Sequence, residues 1–220
     1  MATKRKRLPK EITTLLNYGN IEKLKEQLLR CDPNAITNKY GSNIFSLSPL
    51  PREFAFWAKE YGADINFKDY YGKTPIFNHA SVWDGDVQLL IELGASVDVA
   101  NDFGVTPLHC AATHGRTIAV KALLAAGVDV NVKSGRIDWP GFLTPLESVL
   151  RQSHLLYEEI GEICVILLDH GAEITERAHE YLLNLDQRFQ ETSCQIKDPI
   201  FLRCQTEGLE KLYKILGVQK

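Results

Sequence analysis

Two Thr-Pro dipeptides, Thr74-Pro75 and Thr106-Pro107, lie 32 residues apart, and three glycines that close apolar runs, Gly62, Gly94 and Gly127, are spaced by 32 and 33. A fixed period of this length is the tightest constraint on what the chain can become. Each period holds one small supersecondary unit, and the unit must stack on copies of itself to bury an apolar face. The clearest copy is 104–131, GVTPLHCAATHGRTIAVKALLAAGVDVN. Thr106 offers a side-chain oxygen to the N–H groups that a helix start leaves unpaired, and Pro107 fits the first helical position, where no N–H is needed. Ala111 and Ala112 give the first helix a thin face, and Gly115 breaks it. A second helix begins near Thr117 and runs to Ala126, where Gly127 suits a left-handed cap, and 128–132 reads as an extended exit with polar Asp129 and Asn131. Two helices this short cannot stand alone.

The hexapeptide Thr106-Pro107-Leu108-His109-Cys110-Ala111 resembles the T-P-L-H-x-A signature of the ankyrin repeat. A partial copy stands at Thr74-Pro75-Ile76, and GAD-like exits at Gly62-Ala63-Asp64, Gly94-Ala95-Ser96, Gly127-Val128-Asp129 and Gly171-Ala172-Glu173. The resemblance implies an all-α solenoid of ankyrin repeats, helix–turn–helix units joined by β-hairpin-like loops, with helical end caps. Three segments are expected. Residues 1–10 are a basic flexible lead-in, 11–174 an ankyrin-repeat array of about five copies with degenerate ends, and 175–220 a C-terminal helical cap. The first copy, 11–36, lacks the hairpin and the T-P-L-H run. In the second, Asn43-Ile44-Phe45 replaces that run, and Pro49 and Pro51 must shorten or distort its first helix. Residues 66–98 and 99–130 are the third and fourth. The fifth carries two insertions, one enlarging the hairpin over 133–142 and one around 151–160. Beyond Ile174, Ala178, Tyr181, Leu182, Leu185 and Phe189 mark one face of a helix over 175–191. A last helix is expected to be capped by Thr206, to carry Leu209, Leu212, Tyr213 and Leu216, and to end at Gly217.

Charge and cysteine usage narrow the partners. The chain of 220 residues is 45% apolar, enough for a sizeable core. A net charge of −3 and a pI near 6.1 give no global attraction for nucleic acid or an anionic membrane. Cys31, Cys110, Cys164, Cys194 and Cys204 are odd in number and lack C-x-x-C spacing, which fits a reducing compartment and no metal knuckle. No apolar run approaches the roughly 18 residues of a membrane span. The expectation is a soluble, cytoplasmic monomer. Lys4-Arg5-Lys6-Arg7 is either a nuclear-localisation patch, should the host have a nucleus, or a solvated tail.

The minimum hardware for catalysis is missing from the text. There is no G-x-x-x-x-G-K-[ST], G-x-G-x-x-G or G-x-S-x-G, and His109 and His114 lack an acidic partner at metal-ligating spacing. The resemblance gives His109 a backbone-bridging role, Cys110 reads as a small core residue, and Glu158-Glu159 as a solvated pair. No catalytic, cofactor or metal residue is expected, and the chain reads as no enzyme.

Surface remains. In ankyrin-like stacks the hairpin tips and first helices line a concave groove that takes a protein partner, so the resemblance implies a binding module. Aromatic residues precede each turn glycine here, Tyr40, Tyr71 and Phe103, and Tyr70 adds another. They either pack on the neighbouring hairpin or, with Arg136, Asp138, Trp139 and Phe142 of the enlarged loop, bind a partner, since aromatics and Arg are the side chains that supply interface hot spots. The first functional reading is a dedicated inhibitor or immunity protein that neutralises an enzyme or toxin. The second is a regulatory adaptor or scaffold in a nucleus, using the basic run. The third, remote, is an enzyme with a thiol site around Cys194 and Cys204.

Overall fold

The computed structural model describes residues 4–135, 142–152, 155–193 and 198–218. Its contacts fall into two compact units, 1–107 and 108–220. The architecture is the expected all-α repeat class, short helix pairs separated by hairpin-like loops.

In the first unit β1 (Arg5–Arg7) precedes α1 (Ile12–Asn17), α2 (Ile21–Leu29), β2 (Cys31–Ile36), α3 (Arg52–Glu60), α4 (Pro75–Ser81) and α5 (Val87–Glu92). Each second helix of a pair starts on a side-chain cap or proline and turns an apolar stripe inward. Asn20 accepts the Lys23 N–H at 3.1 Å and sets Leu24 and Leu28, both fully buried, one turn apart on α2. Asp86 accepts the Leu89 N–H at 2.8 Å at the head of α5. The first helix of the second repeat has shrunk to a 3₁₀ turn, Ile44–Ser46. That is the outcome Pro49 and Pro51 require, since each removes a helical N–H donor.

Two polar devices tie successive repeats together. His79 on α4 is fully buried. Its Nε2–H donates to the carbonyls of Phe45 (3.0 Å) and Leu47 (3.1 Å) in the preceding repeat, while Nδ1 accepts the Asp86 N–H (2.9 Å). These partners fix the neutral tautomer, and burial pushes the imidazole below its ordinary pKa. The second device is an asparagine at the repeat exit. Asn34 Oδ1 accepts the Asp64 N–H at 2.7 Å, and Asn66 Oδ1 accepts the Ser96 N–H at 2.8 Å. The exit at 128–132 differs from the expected extended run, and the exit after Gly62 shares its geometry. Asp64 Oδ1 accepts the N–H of Asn66, and Asp129 that of Asn131, so a carboxylate closes each exit as a turn.

The N-terminal segment also departs from the expected flexible lead-in. Arg5–Arg7 pairs in parallel with Cys31–Ile36, Leu8 is buried, and Lys4 Nζ donates to the Tyr61 hydroxyl at 2.6 Å. Leu8 supplies the apolar anchor that a run of four cations lacks.

The second unit takes up α6 (Pro107–Thr113) from Leu108 and continues with α7 (Thr117–Ala125), α8 (Pro145–Leu150), α9 (Tyr157–Asp169), α10 (Glu176–Ser193) and α11 (Pro199–Ile215). His109 Nε2 bonds the Leu143 carbonyl at 2.8 Å, the bridging role the resemblance implied, and burial lowers its pKa also. In the fifth repeat Thr144-Pro145-Leu146-Glu147 puts a carboxylate where His109 stands in the fourth. Buried Glu147 accepts the N–H of its own N-cap, Thr144, at 2.9 Å and the Thr175 hydroxyl at 2.6 Å, and Thr144 accepts the Glu147 N–H at 3.2 Å in return. Asn131 repeats the exit device, accepting from the Glu173 N–H at 2.9 Å and donating to the Gly171 carbonyl at 3.0 Å.

Ala178, Leu182, Leu185 and Phe189 form the buried face of α10, with Tyr181 half-buried at its edge. The last helix begins earlier than expected, at Pro199. Thr206 lies inside it with its hydroxyl donated to the Leu202 carbonyl at 2.9 Å, because Pro199 is the better start and a mid-helix Thr bonds back to the preceding turn. Helices α9 and α11 meet closely at Gly208, where a Cβ would stand 2.9 Å from Tyr157 Cβ and 3.0 Å from the Glu158 backbone nitrogen.

Candidate functional site: the hairpin tips

Three tips of the first unit share one local grammar. Asn38, Asp69 and Asn101 each stand two residues before the aromatic that precedes the turn glycine. Each side-chain oxygen accepts two backbone N–H groups: Asn38 those of Tyr40 (2.8 Å) and Ser42 (3.4 Å), Asp69 those of Tyr71 and Lys73 (both 2.9 Å), Asn101 those of Phe103 and Val105 (both 3.0 Å). A short side chain at this place does the work of a backbone turn, so the tips need no sheet to hold them. Successive tips are then joined by main-chain bonds, Tyr70 N–H to Tyr40 O at 2.9 Å and Asp102 N–H to Tyr71 O at 3.0 Å. Gly72 makes the second joint possible. It sits at φ +71°, and a Cβ there would lie 2.4 Å from Asp102 Oδ1 and 3.1 Å from the Asp102 nitrogen.

This scaffold presents the aromatics as a row. Tyr40 and Tyr71 have ring centroids 6.0 Å apart, and Tyr71 and Phe103 6.3 Å apart, all tilted. Such spacing is in the range of favourable aromatic pairs, about 0.5–1.5 kcal/mol each beyond the area they bury. The rings do pack on neighbouring hairpins, yet 44% of Tyr40, 43% of Tyr71 and 57% of Phe103 is exposed, and Tyr70 beside them is 68% exposed. Packing orders the row without covering it. Lys39 Nζ lies 5.0 Å from the Tyr40 ring centre, adding a cation at one end. What the arrangement can do chemically is bind: it offers ordered π faces, hydroxyls and little side-chain entropy to lose.

The other expected site residues divide. Arg136, Asp138 and Trp139 lie outside the described residues. Phe142, half-buried, packs 3.5 Å from the position of a Gly135 Cβ, and its carbonyl accepts from Arg177 Nη1. It belongs to the second unit, and its ring lines an open cleft with Lys133, Glu147, Thr175, Arg177 and Glu180. Asn38, Asp69 and Asn101, the residues that hold the tips, were not singled out by sequence reasoning. Their signal is an Asn or Asp recurring at a fixed offset from each aromatic-glycine pair.

Among the described residues no group of three or more His, Cys, Asp or Glu is arranged to hold a metal ion, and no helix is long and apolar enough to cross a membrane. Of the thiols, Cys31 and Cys164 are buried, Cys110 is half-buried and Cys204 exposed, while Cys194 lies outside the described residues. Burial pushes the Cys164 thiol up to about 12, far from a thiolate nucleophile at neutral pH.

Short helix pairs on a 32-to-33-residue period, hairpin tips in register, and polar bridges from each repeat to the next define a helical repeat protein built for surface recognition. Residues 50–134 match the family model for ankyrin repeats (3 copies), so this part of the chain is built of ankyrin repeats. Such repeats are protein-interaction modules. Among curated proteins it is 27% identical over 136 residues to the nuclear factor NF-kappa-B p105 subunit of Gallus gallus, covering 57% of this chain and 12% of that one. It is 47% identical over 60 residues to the putative ankyrin repeat protein FPV233 of fowlpox virus (strain NVSL), covering 27% and 11%. It is 31% identical over 143 residues to the SMC5-SMC6 complex localization factor protein 1 of Bos taurus, covering 62% and 12%. The chain thus spans about an eighth or less of the length of these relatives.

Proposed function

We propose that this chain is a non-enzymatic binding module that holds one protein partner along its hairpin face, with Tyr40, Tyr70, Tyr71 and Phe103 as the contact row. The observation that carries the reading is the exposure of three rings already fixed in register by main-chain bonds between tips. A preorganised aromatic surface loses little freedom on binding, and buried aromatics commonly contribute about 2 kcal/mol or more each at an interface. The enlarged loop with Arg136, Asp138, Trp139 and Phe142 is a second contact of the same partner. In this reading 11–174 is the repeat array, 175–220 its helical cap, and the chain alone is a monomer.

Occupying such a face blocks whatever the partner presents to it, which is the action of an inhibitor or immunity protein in the cytoplasm. The adaptor reading, with residence in a nucleus, is the second; its support is the basic run alone. Capture from native extract with the wild type, Tyr71→Ala/Phe103→Ala and Trp139→Ala/Phe142→Ala tests the proposal. A partner held by the wild type and lost by the first variant supports the tip row. Equal capture by all three refutes both contacts. Assay of the captured enzyme or toxin with and without this chain then separates inhibitor from adaptor.

A further inference from the structure

The basic run Lys4-Arg5-Lys6-Arg7 is built into the fold. Leu8, Ile12 and Leu16 behind it are buried, and Lys4 is tied to Tyr61. Arg5–Arg7 is hydrogen-bonded on one side only, to Cys31–Ile36, in a sheet of two strands among the described residues. Its outer edge therefore carries main-chain groups without a strand partner. Arg5, Lys6 and Arg7 are all exposed, and none forms an ion pair among the described residues. A chain that is net acidic has set three consecutive exposed cations in this strand, with Lys4 just before it.

Cationic side chains guard edge strands against association with other neutral or basic strands. They do not repel an acidic one. An extended polypeptide rich in Asp and Glu answers both features at once, continuing the main-chain ladder and neutralising the cations. A nucleic acid answers only the second and meets an overall charge of −3. We propose that the outer edge of β1 is a docking strand for an acidic extended segment of a partner protein, which adds as a third strand beside Arg5–Arg7.

The test uses the full chain and a fluorescein-labelled eight-residue peptide of alternating Glu and Val, followed by anisotropy at low salt. Three comparison ligands are the same peptide N-methylated at alternate residues, its Lys/Val counterpart, and an eight-nucleotide single-stranded DNA. The expected result is binding that weakens with added salt, at least tenfold tighter than for the N-methylated and Lys/Val peptides. Arg5→Gln/Arg7→Gln and Arg5→Glu/Arg7→Glu should lose affinity in that order, by several-fold and by more than tenfold, with unchanged circular dichroism. The Gln pair, which cannot repel the fold, keeps the comparison usable if the Glu pair disturbs β1. Absence of binding, equal binding of the N-methylated peptide, insensitivity of both variants, or tighter binding of the DNA overturns the proposal.

Discussion

Acidification should loosen the second and third repeats through His79. The imidazole is fully buried, its Nε2–H shared between two carbonyls and its Nδ1 filled by the Asp86 N–H. Protonating Nδ1 would place a charge in the core and set two N–H donors against each other. Burial accordingly lowers the folded pKa below the unfolded value of roughly 6.5. Below that unfolded value the denatured chain binds a proton that the native chain excludes, so the contribution of His79 is intact above about pH 6.5 and is lost as pH falls. The loss cannot be steeper than the one-proton limit of about 1.4 kcal/mol per pH unit. His79→Gln has no titrating group. It should be less stable than wild type at pH 7.5 by about 2–4 kcal/mol, since it strands buried groups at Phe45, Leu47 or Asp86, and the gap should narrow as pH falls to 5.5. Urea unfolding followed by circular dichroism at pH 7.5, 6.5 and 5.5 reads this directly. A gap that stays constant across the three pH values would mean that the native fold accepts the proton, and the bridging geometry would be wrong.

Other perturbations follow from the same packing. Gly208→Ala should cost about 1–3 kcal/mol in thermal or urea unfolding, because the added methyl meets Tyr157 Cβ and the Glu158 backbone where α9 and α11 cross. Asn131→Ala removes two bonds to the following exit and should cost about 1–2 kcal/mol, while Asn131→Asp, which keeps the acceptor for the Glu173 N–H, should cost less. Glu147→Ala should destabilise by about 2–4 kcal/mol and Glu147→Gln by less, as Gln retains one acceptor for the Thr144 N–H or the Thr175 hydroxyl; unfolding midpoints compare them. Asp69→Ala should raise amide exchange at Tyr71 and Lys73 and weaken partner binding while leaving the helix core unchanged.

The repeat frame was legible because period and backbone chemistry coincide: Thr-Pro at a helix start and glycine at its end are local requirements. The loss of a helix at Asn43-Ile44-Phe45 was legible for the same reason, through Pro49 and Pro51. What escaped depends on partners far along the chain. His79 looks like an ordinary helical residue until two carbonyls from 34 and 32 residues earlier meet it. The strand at Arg5–Arg7 is unreadable from four cations, since its register comes from Cys31–Ile36. The exit at 128–132 was misread because Asp129 looks like the polar half of an alternation, whereas its carboxylate accepts the Asn131 N–H and closes a turn. Pro199 outranked Thr206 as a helix start, and the text between them carries no break. At the tips the aromatics announced themselves, while Asn38, Asp69 and Asn101, which hold them, needed the hydrogen bonds to be seen.

If the aromatic row at the hairpin tips is the partner surface, a crosslinker placed there must capture that partner. Site-specific photocrosslinking tests it most directly, with benzoylphenylalanine placed in turn at Tyr40, Tyr71 and Phe103, and at Tyr18 as an equally aromatic, 82% exposed position in the turn between α1 and α2. One and the same crosslinked protein is expected from positions 40, 71 and 103 and none from position 18. A partner captured from position 18 and from none of the tips would contradict it.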